Sequence, residues 1–205
     1  LVLEKFGQAK ALPEHSTKVI KFRRYNALSS TPTALTEGVT PAGQSLTVTD
    51  VTATLTQYGD KVTITDVILD THEDPTLNES VALLGEQAAQ MIEKMRFGVL
   101  KAGTNVLYAN GSARTDVNTA ISLTLQRRAV RALKRQNACF ITTIVRSTPS
   151  YGTENVAPGY VALIHPDLEA DVRSLTGFVP AEKYGTMTPW ENELGKCEDV
   201  RYVSS

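Results

Sequence analysis

The feature that most constrains this chain is an amphipathic pattern that predicts one long helix over about residues 76–102. Asp74 can cap this helix, Pro75 suits its first turn, and Gly103 can end it. At 1.5 Å per residue the helix would be roughly 40 Å long, more than twice the average length. Its apolar residues recur at spacings of four and three and so share one face: Leu77, Val81, Leu84, Ala88, Ile92, Met95 and Val99. The opposite face is polar and must meet water or a partner: Glu79, Glu86, Gln90, Glu93, Lys94 and Lys101.

A long hairpin is predicted before this helix. Residues 18–25 alternate between apolar and charged side chains, which indicates a strand. A second alternating stretch covers residues 46–57, and a shift in its parity predicts a β-bulge near Thr49–Asp50. The two stretches can therefore form the legs of one hairpin.

The segment between these legs is unusual. Over residues 26–45 the only charged residue is Glu37, and prolines, glycines and threonines recur. A loop this long without its own core is uncommon in a compact domain. We expect it to be an extended arm that packs on something else.

The remaining chain predicts short alternating helices and strands. A turn at Gly59–Asp60 is followed by renewed alternation at Val62 and Ile64. Further on, we predict a helix over 123–137, a strand over 140–145, a loop over 147–159, a buried strand over 160–164, a helix from His165 to about Leu175, and a loop-rich region over 176–205 with one strand at 199–203.

The composition gives no sign of a dedicated nucleic-acid binder or of an enzyme. The formal net charge is −1, whereas nucleic-acid-binding domains are usually strongly basic. No apolar run approaches the roughly 18 residues needed to cross a bilayer. The sequence has neither a phosphate-binding loop nor a nucleophile elbow. We therefore predict no catalytic residue, no cofactor and no membrane association.

An acidic cluster is the best candidate for a metal site. It consists of Asp66, Asp70, Glu73 and Asp74, with His72 among them. Its spacing matches no EF-hand loop and no paired-histidine motif. A negatively charged helix N-terminus is the simpler interpretation. We therefore predict no metal site, and a metal-dependent enzyme using residues 66–74 stays as an alternative hypothesis.

Five cations on the second predicted helix form the other notable patch: Arg127, Arg128, Arg131, Lys134 and Arg135. They could bind phosphates without regard to base sequence. They could equally pair with acidic residues of another subunit, such as Glu86 and Glu93, or stay solvated. The sequence leaves both interpretations open.

The two ends of the chain look like cuts through a longer polypeptide. It opens on Leu1-Val2-Leu3 without a methionine and stops just after a predicted strand. We expect the last domain to be incomplete in this chain.

Several stretches together resemble the major capsid proteins of tailed bacteriophages, and most closely a family of podophage coat proteins. The resemblance covers nearly the whole chain and is carried by LEKFG at residues 3–7, KFRRY at 21–25, LTEGVTP at 35–41, YGDKVTITD at 58–66 and HPDLEADVR from His165.

The resemblance implies the α+β capsid fold shared by tailed phages and herpesviruses. Residues 58–70 would then be a strand that runs from the hairpin into the long helix. The implied parts are an N-terminal arm segment (1–17), an extended β-hairpin loop (18–58), a peripheral domain (59–114) with a spine helix at about 76–102, and an α/β axial domain (115–205).

It also implies a function. The chain would be a subunit of an icosahedral virion capsid that self-assembles into hexamers and pentamers in the bacterial host cytoplasm. Its partners would be copies of itself, scaffolding, portal or decoration proteins, and the packaged double-stranded DNA. We expect inter-subunit contacts at Lys21, Arg23, Arg24, Glu37, Glu86 and Glu93, and subunit or nucleic-acid contacts at the five cations of 127–135. An encapsulin-like compartment shell is the alternative assembly.

Overall fold

The structure, a computed structural model, combines helices with two β-sheets in the residues that it describes, so the predicted α+β class is confirmed. The chain divides into two units: Lys10–Val62, and Leu1–Ala9 together with Thr63–Ser205. The described residues are 2–12, 14–15, 17–71, 73–145, 153–185 and 187–205.

The smaller unit is the predicted hairpin. Strand β1 (Val19–Tyr25) pairs antiparallel with β2 (Val48–Thr54), in a register that runs from Val19 opposite Thr54 to Tyr25 opposite Val48. Every pair in between is one-to-one, so the predicted bulge near Thr49–Asp50 is wrong. Both faces of β2 are exposed, and Leu46 lies outside the strand. No core therefore forces apolar residues onto one face, and the parity shift has no structural counterpart.

The predicted arm continues the hairpin beyond its ladder. The backbone N–H of Asn26 donates to the Thr47 carbonyl at 3.0 Å, and the Ser29 N–H donates to Oε1 of Gln44 at 3.1 Å. All residues from 26 to 47 are exposed. The turn at 37–38 uses the left-handed conformation of Gly38, whose φ is +79°. The two legs of the arm thus stay side by side well past the strands.

The described residues of the larger unit form four α-helices: α1 (Asp66–Thr71), α2 (Thr76–Lys101), α3 (Leu123–Arg135) and α4 (Glu169–Arg173). The predicted long helix is confirmed as α2, and the predicted second helix as α3. The capping prediction at Asp74 is wrong, because the helix begins at Thr76 with Pro75 as its N-cap and without a side-chain cap.

The strand expected over residues 58–70 is also wrong. Residues 58–65, all of them described, lie outside any strand, and α1 occupies 66–71. A strand requires a hydrogen-bonding neighbour, and none of the described strands pairs with this stretch. Instead the Asp66 carboxylate accepts from the Val67 N–H at 3.0 Å at the start of α1.

A five-stranded sheet forms the centre of the larger unit. Its spatial order is β3-β4-β7-β6-β5, with β4 and β7 parallel and the other pairs antiparallel. The strands are β3 (Ile141–Val145), β4 (Thr153–Ile164), β5 (Phe178–Pro180), β6 (Glu193–Cys197) and β7 (Val200–Ser204).

Two sequence predictions for this sheet need correction. The predicted loop over 147–159 is wrong for residues 153–159, which belong to β4, while 146–152 lie outside the described residues. Pro158 and Gly159 lie where β4 leaves β3 and joins β7, a place where a strand tolerates proline. The described residues of 176–205 contain three strands instead of one. Strand β6 escapes the prediction because its buried positions are Glu193, Gly195 and Cys197, which form no apolar alternation.

The main core lies between this sheet and helices α3 and α4. Gln126 of α3 is buried and bridges two strands: its Nε2 donates to the Cys197 carbonyl and its Oε1 accepts from the Tyr202 hydroxyl, both at 2.7 Å. Burial raises the pKa of Tyr202 to about 12, so the hydroxyl stays a donor at neutral pH. The core residues are Tyr160, Ile164, Val172, Leu175, Cys197, Val200 and Tyr202.

A buried ion pair joins β6 to β7. The Arg201 and Glu193 side chains are 3% and 0% exposed, and Arg201 Nε donates to Glu193 Oε1 at 2.7 Å. The same carboxylate accepts from the Tyr184 hydroxyl at 2.6 Å and from the Trp190 N–H at 2.7 Å. The Arg201 guanidinium lies 4.0 Å from the centre of the Trp190 ring. This pair therefore fixes the segment between β5 and β6 as well as the two strands.

We predict that Glu193→Gln lowers the free energy of unfolding by about 3–5 kcal/mol, because it leaves Arg201 buried without its counter-charge. Urea unfolding followed by Trp190 fluorescence measures the change. Glu182→Gln is the control, since Glu182 is exposed and its replacement should cost less than about 0.5 kcal/mol. Equal unfolding midpoints for the two variants would contradict the assigned role of the pair.

Candidate interaction surfaces

The five predicted cations of α3 all have exposed side chains, but the structure separates them into two sets. Arg127 pairs with Glu198, with Nε at 3.0 Å from Oε1, and Lys134 pairs with Asp199 at 2.7 Å. Both acids belong to the turn between β6 and β7. The hydrogen bond from Arg127 holds the pKa of Glu198 below its usual value, and the hydrogen bond to Asp199 raises the pKa of Lys134. These two cations therefore stabilise the chain's own surface.

The other three cations form what we call the arginine stripe: Arg128, Arg131 and Arg135. All three are exposed, and none of them has an ion pair with any described residue. A cavity of about 480 Å³ separates α3 from the β6–β7 turn, and Arg131 and Arg135 line it together with the two paired cations.

The charged residues predicted on the hairpin take different positions. Arg23 lies opposite Asp50, with Nε 3.5 Å from Oδ1 in an exposed pair. Lys21 lies on the same face, opposite Thr52, while Arg24 lies on the other face, opposite Thr49. The exposed apolar residue Val51 shares that second face with Phe22. Tyr25 and Val48 are exposed on the first face, so both faces of the hairpin combine charged and apolar side chains.

Two of the predicted acids are exposed. Glu37 lies in the turn at the end of the arm, next to Gly38. Glu86 lies on α2, where its Oε1 accepts from Nε2 of Gln90 at 3.1 Å. Both side chains are available for contact.

Glu93 has a different environment, because it is a partly buried acceptor within the larger unit. Its Oε1 accepts from the backbone N–H groups of Val2 and Leu3 at 3.0 and 2.9 Å and from the Ser205 hydroxyl at 3.1 Å. Burial raises the pKa of Glu93, but these hydrogen bonds outweigh burial and leave the pKa below its usual value of 4.5. Its role as an inter-subunit contact stays a prediction.

Sequence reasoning missed the docking of the N-terminal segment on the larger unit. Lys5 is buried and forms an ion pair with Glu191, and the ring centres of Phe6 and Trp190 are 5.4 Å apart. The lone tryptophan followed by an acid was the available signal, but nothing in the sequence connects these two residues with partners 184 and 186 positions away.

The predicted apolar face of α2 is largely uncovered. Leu77, Val81 and Val99 are 58%, 63% and 76% exposed, and across the described chain α2 contributes no fully buried residue. Three half-buried residues of its second half, Ala89, Glu93 and Arg96, lie on a neighbouring face. Exposed apolar side chains along a helix of this length indicate a contact surface.

The acidic cluster gains no support as a metal site. Within the described ranges no three His, Cys, Asp or Glu side chains come together to hold an ion, and His72 lies outside those ranges. In the described part of the chain, every helix is too short or too polar for a bilayer crossing.

The sequence matches a known protein family. A protein-family model described as phage capsid protein matches residues 48–195, which is more than half of the chain. No curated protein matches the sequence.

We predict that Glu93→Gln lowers the free energy of unfolding by about 1 kcal/mol at pH 7, because two backbone donors lose a charged acceptor. The folded-state pKa of Glu93 is lowered from 4.5, so its stabilisation is present above that value and is lost as the pH falls through the folded pKa. The difference between wild type and variant should therefore shrink as the pH falls below 4.5 and through the lowered pKa of Glu93. Chemical unfolding across this pH range measures it.

Glu86→Gln is the matched control on the same helix, since Glu86 is exposed. It should change the free energy of unfolding by less than about 0.5 kcal/mol. A Glu93→Gln deficit that persists unchanged at low pH would show that the charge of Glu93 is not the cause.

Proposed function

The chain belongs to the phage capsid protein family, and on that basis we propose that it is the major capsid subunit of a tailed phage. A phage capsid protein is a structural component of the virion. In this proposal its copies form the hexamers and pentamers of an icosahedral shell around a double-stranded DNA genome. The subunit acts through contact and carries out no catalysis.

The uncovered apolar face of α2 is the observation that best supports assembly. A lone soluble subunit would leave side chains such as Val81 and Val99 in water, and burying each would stabilise an assembly by about 1.5–3 kcal/mol. The face therefore suits a protein that is completed by its partners.

The proposed roles of the parts follow the resemblance. Residues 18–58 form the extended loop that reaches over an adjacent subunit, and α2 is the spine of the peripheral domain at 59–114. Residues 115–205 form the axial domain near the capsomer centre, and 1–17 form the N-terminal arm segment. The separation of Lys10–Val62 as its own unit supports the assignment of the loop.

Further partners belong to the same proposal. Assembly in the host cytoplasm would involve scaffolding, portal or decoration proteins, and the filled shell would hold the packaged DNA. The hairpin cations, Glu37 and Glu86 are exposed and can serve as contacts between subunits.

We predict that Val81→Asp prevents shell formation without destabilising the subunit, because a charge on the α2 face resists burial. Negative-stain microscopy of the expressed full chain scores assembly, and urea unfolding scores stability. Asn78→Asp is the control, as it adds the same charge at a neighbouring exposed position of α2. A wild-type chain that stays monomeric, or a Val81→Asp variant that still forms shells, would contradict this proposal.

A second prediction concerns the arm. Glu37 is the only acidic residue between Asn26 and Thr49 and lies in an exposed turn, so a glutamate-specific protease should cleave after it in the unassembled chain. In shells the same bond should be protected, because the loop lies on a neighbour. Electrophoresis of the fragment ending at Glu37 measures this, and Glu37→Gln identifies the band by removing it. Equal cleavage in both states would exclude the proposed position of the loop.

A further inference from the structure

We propose that the arginine stripe binds the phosphate backbone of duplex DNA without sequence preference, an inference that rests on the proposed function as the shell of a DNA genome. The sequence left five cations with two interpretations. The structure assigns Arg127 and Lys134 to partners within the chain and leaves three arginines for an external ligand.

The three arginines form one continuous row. At about 100° per residue, positions 128, 131 and 135 fall within an arc of about 60° on α3. Gln126, which is buried against β6 and β7, lies on the opposite side of the helix. The row therefore points away from the core and is exposed along its whole length.

The charge of the row is not cancelled locally. Helix α3 contains no acidic residue. The acids that line the cavity, Glu198 and Asp199, already pair with Arg127 and Lys134. Three positive charges thus remain concentrated on a chain whose formal net charge is only −1.

The dimensions of the row suit a phosphate backbone. Seven residues at 1.5 Å separate Arg128 from Arg135, a distance of roughly 10 Å along the helix. Duplex DNA carries one phosphate per about 3.4 Å of its axis on each strand, so the row can meet two or three phosphates of one strand. The planar guanidinium group donates two parallel hydrogen bonds to a phosphate, which makes arginine well suited to this ligand.

An acidic surface on a second copy matches the row less well. The sequence suggested two acids of α2 as partners, and one of them, Glu93, already accepts hydrogen bonds from the backbone N–H groups of Val2 and Leu3. The exposed Glu86 offers only one negative charge to three arginines. Using Glu93 would require giving up those backbone donors. DNA offers a denser row of charges at no such cost.

The test measures binding of a fluorescein-labelled duplex of mixed sequence, about 20 base pairs long, to the unassembled full chain by fluorescence anisotropy. Salt is varied between about 50 and 200 mM. Replacing Arg128, Arg131 and Arg135 together by Gln should weaken binding by about tenfold or more. It should also reduce the magnitude of the slope of log Kobs (the observed binding constant) against log salt concentration by about 2 to 3. A duplex of scrambled sequence should bind equally well.

Two variants serve as controls. Replacing Arg114, Arg173 and Lys183 together by Gln removes the same charge from exposed positions elsewhere in the unit and should change the salt dependence little. Replacing the three stripe arginines by Lys should keep the salt dependence but weaken binding, because lysine lacks the paired donors. Arg and Gln have similar helix propensities, so the Gln variants should fold.

Shell formation without DNA is scored in parallel, which separates this proposal from the proposed function. We expect the stripe variant to assemble like the wild type. If the wild type does not bind the duplex, or both Gln variants weaken binding equally, the proposal is overturned whether or not shells form. If the stripe variant loses assembly and the wild type binds no DNA, the row is instead a contact with a second copy.

Discussion

The buried pair between Glu193 and Arg201 is the interaction on which the larger unit depends. It joins β6 to β7 across the sheet. The Glu193 carboxylate also accepts a hydrogen bond from the Tyr184 hydroxyl, and the Arg201 guanidinium lies against the Trp190 ring. Trp190 in turn contacts Phe6, so the N-terminal segment packs on a surface that this pair holds in place. Burying these two charges costs desolvation energy, and the hydrogen bonds between the two side chains and to their neighbours compensate for that cost. The result is a fixed geometry of β6 relative to β7.

The sequence was most informative where a single element shows a long, unambiguous pattern. The spacing from Leu77 to Val99 predicted α2 almost to the residue, and the alternation at 18–25 predicted β1. It failed at β6, where Glu193 is buried in spite of its charge because Arg201 compensates it from another strand. It also failed over 153–159, since β3 and β7 together satisfy the backbone of a strand interrupted by Pro158. Partners distant in sequence decide both cases.

In the candidate surfaces, too, the sequence predicted some features and only the structure showed others. Residue type and helical spacing were enough to predict a basic patch on α3. Only the structure shows that Arg127 pairs with Glu198, 71 residues away, whereas Arg128 has no ion-pair partner among the described residues. Glu93 looked like one more exposed acid on a polar face and is a partly buried acceptor of two backbone N–H groups. Exposure of the α2 apolar face could not be predicted, because amphipathic spacing says which residues share a face and not what covers it.

The order of strands in the larger sheet has a consequence for synthesis. β7 lies between β4 and β6, although the other four strands precede it in sequence. The sheet can therefore form completely only after β7 has left the ribosome. Until then β4 and β6 each expose an unpaired edge, which is the condition that favours association with other chains. The hairpin of β1 and β2, by contrast, needs only residues 19–54, all of which are synthesised before any strand of the larger sheet. A nascent chain would thus expose its arm before the core of the larger unit has formed. At that stage chaperones can prevent association of the unpaired strand edges.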